Sequence, residues 1–281
     1  MIGVFATVLV VLERLPATRF RAASLPRRYL GTDVVYLLTG FVALGWLGSA
    51  GVHAATEVVA TALPWSSLPF LAQVLLALVA IDLGNYAAHW LLHRSDVLWE
   101  FHKAHHSSLH LDWMATFRSH LVEQLLRRVL APVLLVATGC PMSVVGPAAG
   151  IFFAWAMLNH ANVRLPLGLL EPVLVTPRLH RVHHLPGTAE RNLGTVFTCW
   201  DRLRGTFVVA DPAPGTPFGL PIERESYPQD WMRQLVEPCR ALTRRTTAGR
   251  PVARLAPAAA PASLRAETTG TRSGQWDGRP C

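Results

Sequence analysis

The chain has 281 residues, of which 51% are hydrophobic and only 16% charged, with a mean hydropathy of +0.29. Soluble domains carry about 25% charged residues, so this shortage argues against an ordinary water-soluble protein and points to lipid. The net charge of +8 is almost wholly arginine, Lys103 being the sole lysine, and no basic helix carries the interleaved aromatics of a nucleic-acid platform, which favours anionic lipid over nucleic acid as partner.

Residues 1–12 are apolar but short, and read as a partial span or an interfacial helix. They lack the basic n-region and small-residue cleavage site of a signal peptide. Residues 1–33 form an apolar and basic N-terminal segment. A run of about 18 or more apolar residues is a transmembrane candidate. Residues 34–62 qualify, and so do 69–93, interrupted by Asp82. Residues 129–163 hold two short spans, broken near Cys140-Pro141 and Gly146-Pro147. Residues 164–238 are mixed and globular, with turns at 185–187 and 213–215, and the Ala/Pro/Arg-rich end marks 239–281 as a disordered tail.

The expected fold is all-α: an integral membrane bundle of about four transmembrane helices with a histidine-rich helical cap, forming one catalytic domain over 34–238. Arginines set its orientation. Arg14, Arg19, Arg21, Arg27 and Arg28 precede the first long span, and Arg94, Lys103, Arg118, Arg127 and Arg128 follow the second. The links LPWSSL and CPMSVVGPAAG are uncharged. Positive links stay in the cytoplasm, which puts the cap there. Arginine and alanine in place of lysine suggest a GC-rich bacterial source, hence a bacterial inner membrane.

The cap is defined by histidines. HKAHH (102–106) and HRVHH (180–184) repeat one pattern, and HWLLH (89–93) lies just upstream of the first. Residues i, i+3 and i+4 share a helix face, so neighbouring imidazoles can converge on one ion. The clusters hold His89, His93, His102, His105, His106, His180, His183 and His184, and His160 at the inner end of the last span makes nine. One ion takes four to six ligands; two ions can use nine, which suggests a dinuclear centre. Imidazole suits iron, copper, zinc and nickel alike, while the absence of thiolates argues against a structural zinc module. His53, alone in a span, reads as structural. Asp82 lies two turns before His89 on the same face, inside an apolar span where a carboxylate is costly. Glu100 reads equally well as an exposed charge. A histidine-rich metal transporter is the alternative, but it would carry ionisable residues along several spans, and only Asp82 and His53 lie within them. Bis-histidine haem would leave the triplets unexplained.

Taken together, the motifs resemble the fatty acid hydroxylase superfamily, which includes sterol desaturases. DLGNYAAHWLLHR is similar to its first histidine box, LWEFHKAHHSS to its second, NHANVRLP to the segment with an isolated histidine, TPRLHRVHH to the last box, and RNLGTVFTCWDRLRGTF to its closing segment. The resemblance implies a membrane di-iron oxygenase that hydroxylates or desaturates a fatty acyl, sterol or related lipid with dioxygen and two electrons. The nine histidines carry over as ligands, with Asp82, His120, Glu123, Asn192 and Asp201 behind them. Zinc, above ferrous iron in the stability order, can replace iron on purification. With no G-x-G-x-x-G and no cysteine set for an iron–sulfur cluster, electrons must come from a separate ferredoxin, cytochrome or reductase. Three positions depart from the family pattern: Trp90 where arginine is common, Leu121 where proline is common, and Arg204 where an aromatic is usual.

Overall fold

The computed structural model of the chain describes residues 2–20, 29–45, 48, 50, 53, 63–211, 216–220, 223 and 225–247. Among them the fold is all-helical, apart from two isolated bridges. The helices are α1 (Ile2–Arg14), α2 (Leu30–Tyr36, continuing as a π-helix over Leu37–Leu44), α3 (Phe70–Arg94), α4 (Asp96–His106) and α5 (Leu121–Leu130). They are followed by α6 (Val133–Ala137), α7 (Met142–His160), α8 (Pro177–His183), α9 (Cys199–Arg204) and α10 (Trp231–Thr247).

α3 and α7 form the central pair, with α4, α5 and α6 against α3, α8 and α1 against α7, and α10 over α4. Below the histidines the pair is sealed by Val74, Leu78 and Ile81 of α3 against Val144, Val145 and Ala148 of α7. Gly84 of α3 lets α5 pass at backbone distance: a Cβ there would lie 2.5 Å from the Leu130 carbonyl.

The turns that aim the histidines are local. Ser95 ends α3 in extended geometry, and its hydroxyl accepts from the Leu98 amide to cap α4. One residue thus folds HKAHH back toward HWLLH. Thr176 caps α8, with Pro177 at the first helical position. His120 caps α5 by accepting from the Val122 amide, so the helix starts at Leu121 without the proline usual there.

Among the described residues two helices, Phe70–Arg94 and Met142–His160, are long and apolar enough to cross a membrane. The first matches the span expected at 69–93. Residues 129–163 do not give two comparable spans: the chain breaks at Cys140-Pro141, leaving the five-residue α6, whereas α7 runs straight through Gly146-Pro147. Pro147 forfeits the bond its N–H would give to the Ser143 carbonyl, yet α7 continues through it. The span expected at 34–62 is helical as far as Leu44, but most of its second half lies outside the described residues, as do 21–28 and the tail beyond 247. α10 crosses the boundary expected at 238 and runs to Thr247. Glu100 is not an exposed charge; it is buried, 2.9 Å from Lys103 Nζ and 2.6 Å from Arg245. His53 is exposed and belongs to neither histidine set described below.

Candidate metal centre

The nine clustered histidines meet at one end of the bundle and fall into two sets. His89, His93, His102, His106 and His183 form one, and His105, His160, His180 and His184 the other. Within each, one nitrogen per ring lies within 4.8 Å of all the others. The sets cut across the sequence clusters. On α4, His102 and His106 join the first set while His105 joins the second, and on α8 His183 parts from His180 and His184. A helical triplet thus faces two neighbouring points, and the sets touch where the His106 and His184 rings stack with centroids 4.6 Å apart.

The ring tautomers follow from their partners. His89 donates Nδ1–H to the Leu193 carbonyl (2.8 Å), His105 to Arg118 (3.0 Å), His160 to Ala156 (2.9 Å) and His183 to Arg191 (2.9 Å). His102 Nδ1 lies 2.9 Å from Glu123 Oε2. Carbonyls only accept, so these rings leave Nε2 as a bare lone pair. Yet Nε2 of His105 and Nε2 of His160, both left bare in this way, lie 3.2 Å apart, and Nε2 of His180 lies 3.1 Å from those of His160 and His184. Two facing lone pairs in a buried site repel one another unless a cation lies between them. Among the described residues the Nε2 atoms of His102, His106 and His183 have no hydrogen-bond partner. The donor set therefore fits two cations bound through Nε2, with the Nδ1–H groups fixing ring orientation as ligating histidines require.

Protons do not compete well for this site. Burial, reinforced by neighbouring imidazoles, holds His105, His106, His180 and His184 well below the ordinary histidine range, and His183 falls to about 3. Burial alone would raise Glu123, but His102 and Arg127 outweigh it and keep the carboxylate ionised. Neutral imidazoles are the form a metal needs.

The carboxylates and amides expected behind the ligands divide. Glu123 reaches a ring directly. Asp201 acts one step further out: it accepts from the Leu193 and Gly194 amides and from the Thr206 hydroxyl, so it fixes the carbonyl that His89 uses. Asn192, at φ 52, bridges the Leu179 carbonyl to the Val208 backbone. Asp82 does not contact His89; it accepts from the amides of Val196 and Phe197 and from Trp200 Nε1, anchoring the closing segment to α3. The Nε2 of His120 lies 3.1 Å from the Leu235 carbonyl on α10 and reaches no ring of either set. Sequence reasoning missed the carbonyls of Arg118, Ala156, Arg191 and Leu193. Their one signal is the Asn-x-Gly turn at 192–194, which bends the chain so that two of them face the rings.

A cavity of about 420 Å³ adjoins the site, lined by His89, His105, His160 and His180 at one end and continuing among Ile81, Leu135, Val145 and Phe152 of the bundle. The departures at Trp90 and Arg204 meet one another: the guanidinium lies 4.3 Å from the indole ring centroid.

The fatty acid hydroxylase family matches residues 74–206. The chain is 36% identical over 154 residues to the ornithine lipid hydroxylase OlsE of Rhizobium tropici, covering 54% of this chain and 46% of that one. It is 31% identical over 135 residues to the alkylglycerol monooxygenase of Danio rerio (47% and 30% of the two chains), and 27% identical over 199 residues to that of Homo sapiens (70% and 38%). The matched stretches thus span less than half the length of these relatives. No solved structure matches the chain.

Proposed function

Because the fatty acid hydroxylase family matches residues 74–206, we propose that the chain is a membrane oxygenase that hydroxylates or desaturates a lipid with dioxygen and two electrons. The observation that carries this reading is the pair of buried, inward-facing sets of imidazole lone pairs beside an apolar cavity. One iron would be held by His89, His93, His102, His106 and His183, the other by His105, His160, His180 and His184. Bound iron supplies the reductive activation of dioxygen, which no side chain can perform alone.

The protein's part is positional. The Leu193, Arg118, Ala156 and Arg191 carbonyls hold four rings in one tautomer, and Glu123 does the same for His102. Ile81, Leu135, Val145 and Phe152 exclude water from the space below and suit a hydrocarbon chain. His105, His160 and His180 border that space, so a chain lying in it presents its C–H bonds to the second set. The relatives' names suggest a lipid with a polar head, of the ornithine lipid or alkylglycerol kind. Electrons come from a separate ferredoxin, cytochrome or reductase. The arginine pattern favours a bacterial inner membrane with the histidines on the cytoplasmic side of a bundle of about four transmembrane helices.

Alanine at His105 and, separately, at His183 tests one ligand from each set. Each variant should lose metal and lipid turnover together, with turnover read by mass spectrometry as a gain of one oxygen or a loss of two hydrogens. Turnover surviving either change with metal content intact would remove the assignment.

A further inference from the structure

The cavity is not uniformly apolar. Two arginines line it, Arg127 and Arg128, on the last turns of α5. Arg127 is neutralised: its Nε lies 3.0 Å from Glu123 Oε1, and its Nη1 donates to Asn85 Oδ1 at 2.7 Å. Arg128 is not. Its Nη1 donates to the carbonyl and side-chain oxygens of Gln124, both at 3.1 Å, and its Nη2 to the Gly40 carbonyl at 2.9 Å. All three acceptors are uncharged, and among the described residues no carboxylate pairs with this guanidinium. Its Nε–H makes no hydrogen bond to them.

The surroundings keep that charge free and partly dry. A Cβ at Gly48 would come within 2.9 Å of Arg128 Cδ, so the arginine stem packs close against the Gly48 backbone, whereas a Cβ at Gly45 would stand at ordinary contact distance, 3.6 Å, from Nη2. Burial pulls the guanidinium's pKa down, the mark of a cation whose desolvation is not offset, although it stays protonated. Away from Arg128 the cavity continues to Gly146, where a Cβ would meet nothing within 4 Å, and to Ala149. One cavity therefore joins an uncompensated cation to open apolar space.

The geometry points to Arg128 as the anchor for an anionic headgroup, phosphate or carboxylate, of a lipid whose hydrocarbon occupies the cavity beside His105 and His160. This rests on the oxygenase reading only for what happens to the lipid afterwards; the binding itself needs no turnover. A charge-assisted hydrogen bond is roughly twice as strong as a neutral one, and about 1.4 kcal/mol is a tenfold change in affinity. The anion should therefore gain about tenfold or more over a neutral lipid of equal chain length.

The test is native mass spectrometry of the purified full chain in neutral detergent, titrated with hexadecyl phosphate, hexadecanol and inorganic phosphate. The expected result is one site preferring hexadecyl phosphate to hexadecanol by about tenfold or more, with no competition from inorganic phosphate at matched concentration. Arg128→Gln should abolish the preference, and Arg128→Lys should keep part of it. Gly146→Leu should weaken both amphiphiles by filling the cavity, with Ala149→Phe as its substitute if that chain does not fold. A preference that survives Arg128→Gln overturns the proposal. So does full competition by inorganic phosphate, which would make this a free-anion site. A preference lost in Arg128→Gln while the affinity for both amphiphiles is unchanged in either cavity-filling variant also overturns it, because the anion would then sit on the bilayer-facing surface. Intact binding with no lipid turnover would count against the oxygenase reading alone.

Discussion

Arg118, Ala156, Arg191 and Leu193 contribute to the centre through their carbonyls, which carry no trace of residue identity. That is why the clustered histidines stand out in the sequence and their orienting partners do not. Asp82 shows the converse error. Two turns before His89 on the same face, it read as a partner of that ring, but two turns are roughly 10.8 Å of rise, and its carboxylate serves Val196, Phe197 and Trp200 instead. Asp201, whose role runs through Leu193, is the better place to test indirect control. Asp201→Ala should weaken metal binding about 10–100-fold, measured by chelator competition, with the chain still folded. An unchanged affinity would mean that the Leu193 carbonyl holds its place unaided.

The histidines also make the metal-free protein sensitive to acid. The unfolded chain takes up protons from the ordinary histidine value of 6.5 downward, whereas folded His183 does so only near about 3. The unfolded state binds more protons throughout that window, so stability is full above the unfolded value and falls as pH drops through it. Thermal melts of metal-free protein should give a lower Tm at about pH 5.5 than at about pH 7.5; an equal or higher value would contradict the burial of neutral rings.

At the scale of elements, the helices that carry the histidines were legible because spacing of i, i+3 and i+4 is itself helical. The division of each triplet between two sets was not, because it depends on how α4 and α8 cross α3 and α7. The break expected near Pro141 is present, but Pro147 continues α7 and Pro238 continues α10, so each of these prolines forfeits a backbone hydrogen bond without ending its helix. Trp90 and Arg204 read as two separate departures from the family pattern, and the structure joins them as one contact between α3 and α9. If the pair matters as a pair, Trp90→Arg and Arg204→Trp should each cost about 0.5–1 kcal/mol at this exposed site, and the double variant should recover most of it in thermal melts. Gly84 gives a sharper expectation. Gly84→Val must push its side chain against the Leu130 and Ala131 backbone, so the crossing should lose about 1–3 kcal/mol, seen as a lower Tm with helical content retained.

The whole molecule shows why the composition is apolar. Val4 and Val8 of α1, Leu71 and Leu75 of α3, Leu125 of α5 and Ile151 of α7 all point outward, while eight of the nine clustered histidines are buried inside, His93 being half-buried. Exposed apolar area on this scale marks a surface that is not meant for water, and the protein should stay with the membrane through alkaline carbonate washing and leave it only in detergent. The proposed function stands or falls on whether the nine imidazoles form one two-ion centre or a scatter of polar residues at a bilayer surface. The most direct measurement is elemental analysis of the purified chain after anaerobic loading with ferrous iron and removal of loosely bound metal. Two ions per chain, falling in both His105→Ala and His183→Ala, is the predicted result; one ion or none per chain would contradict it.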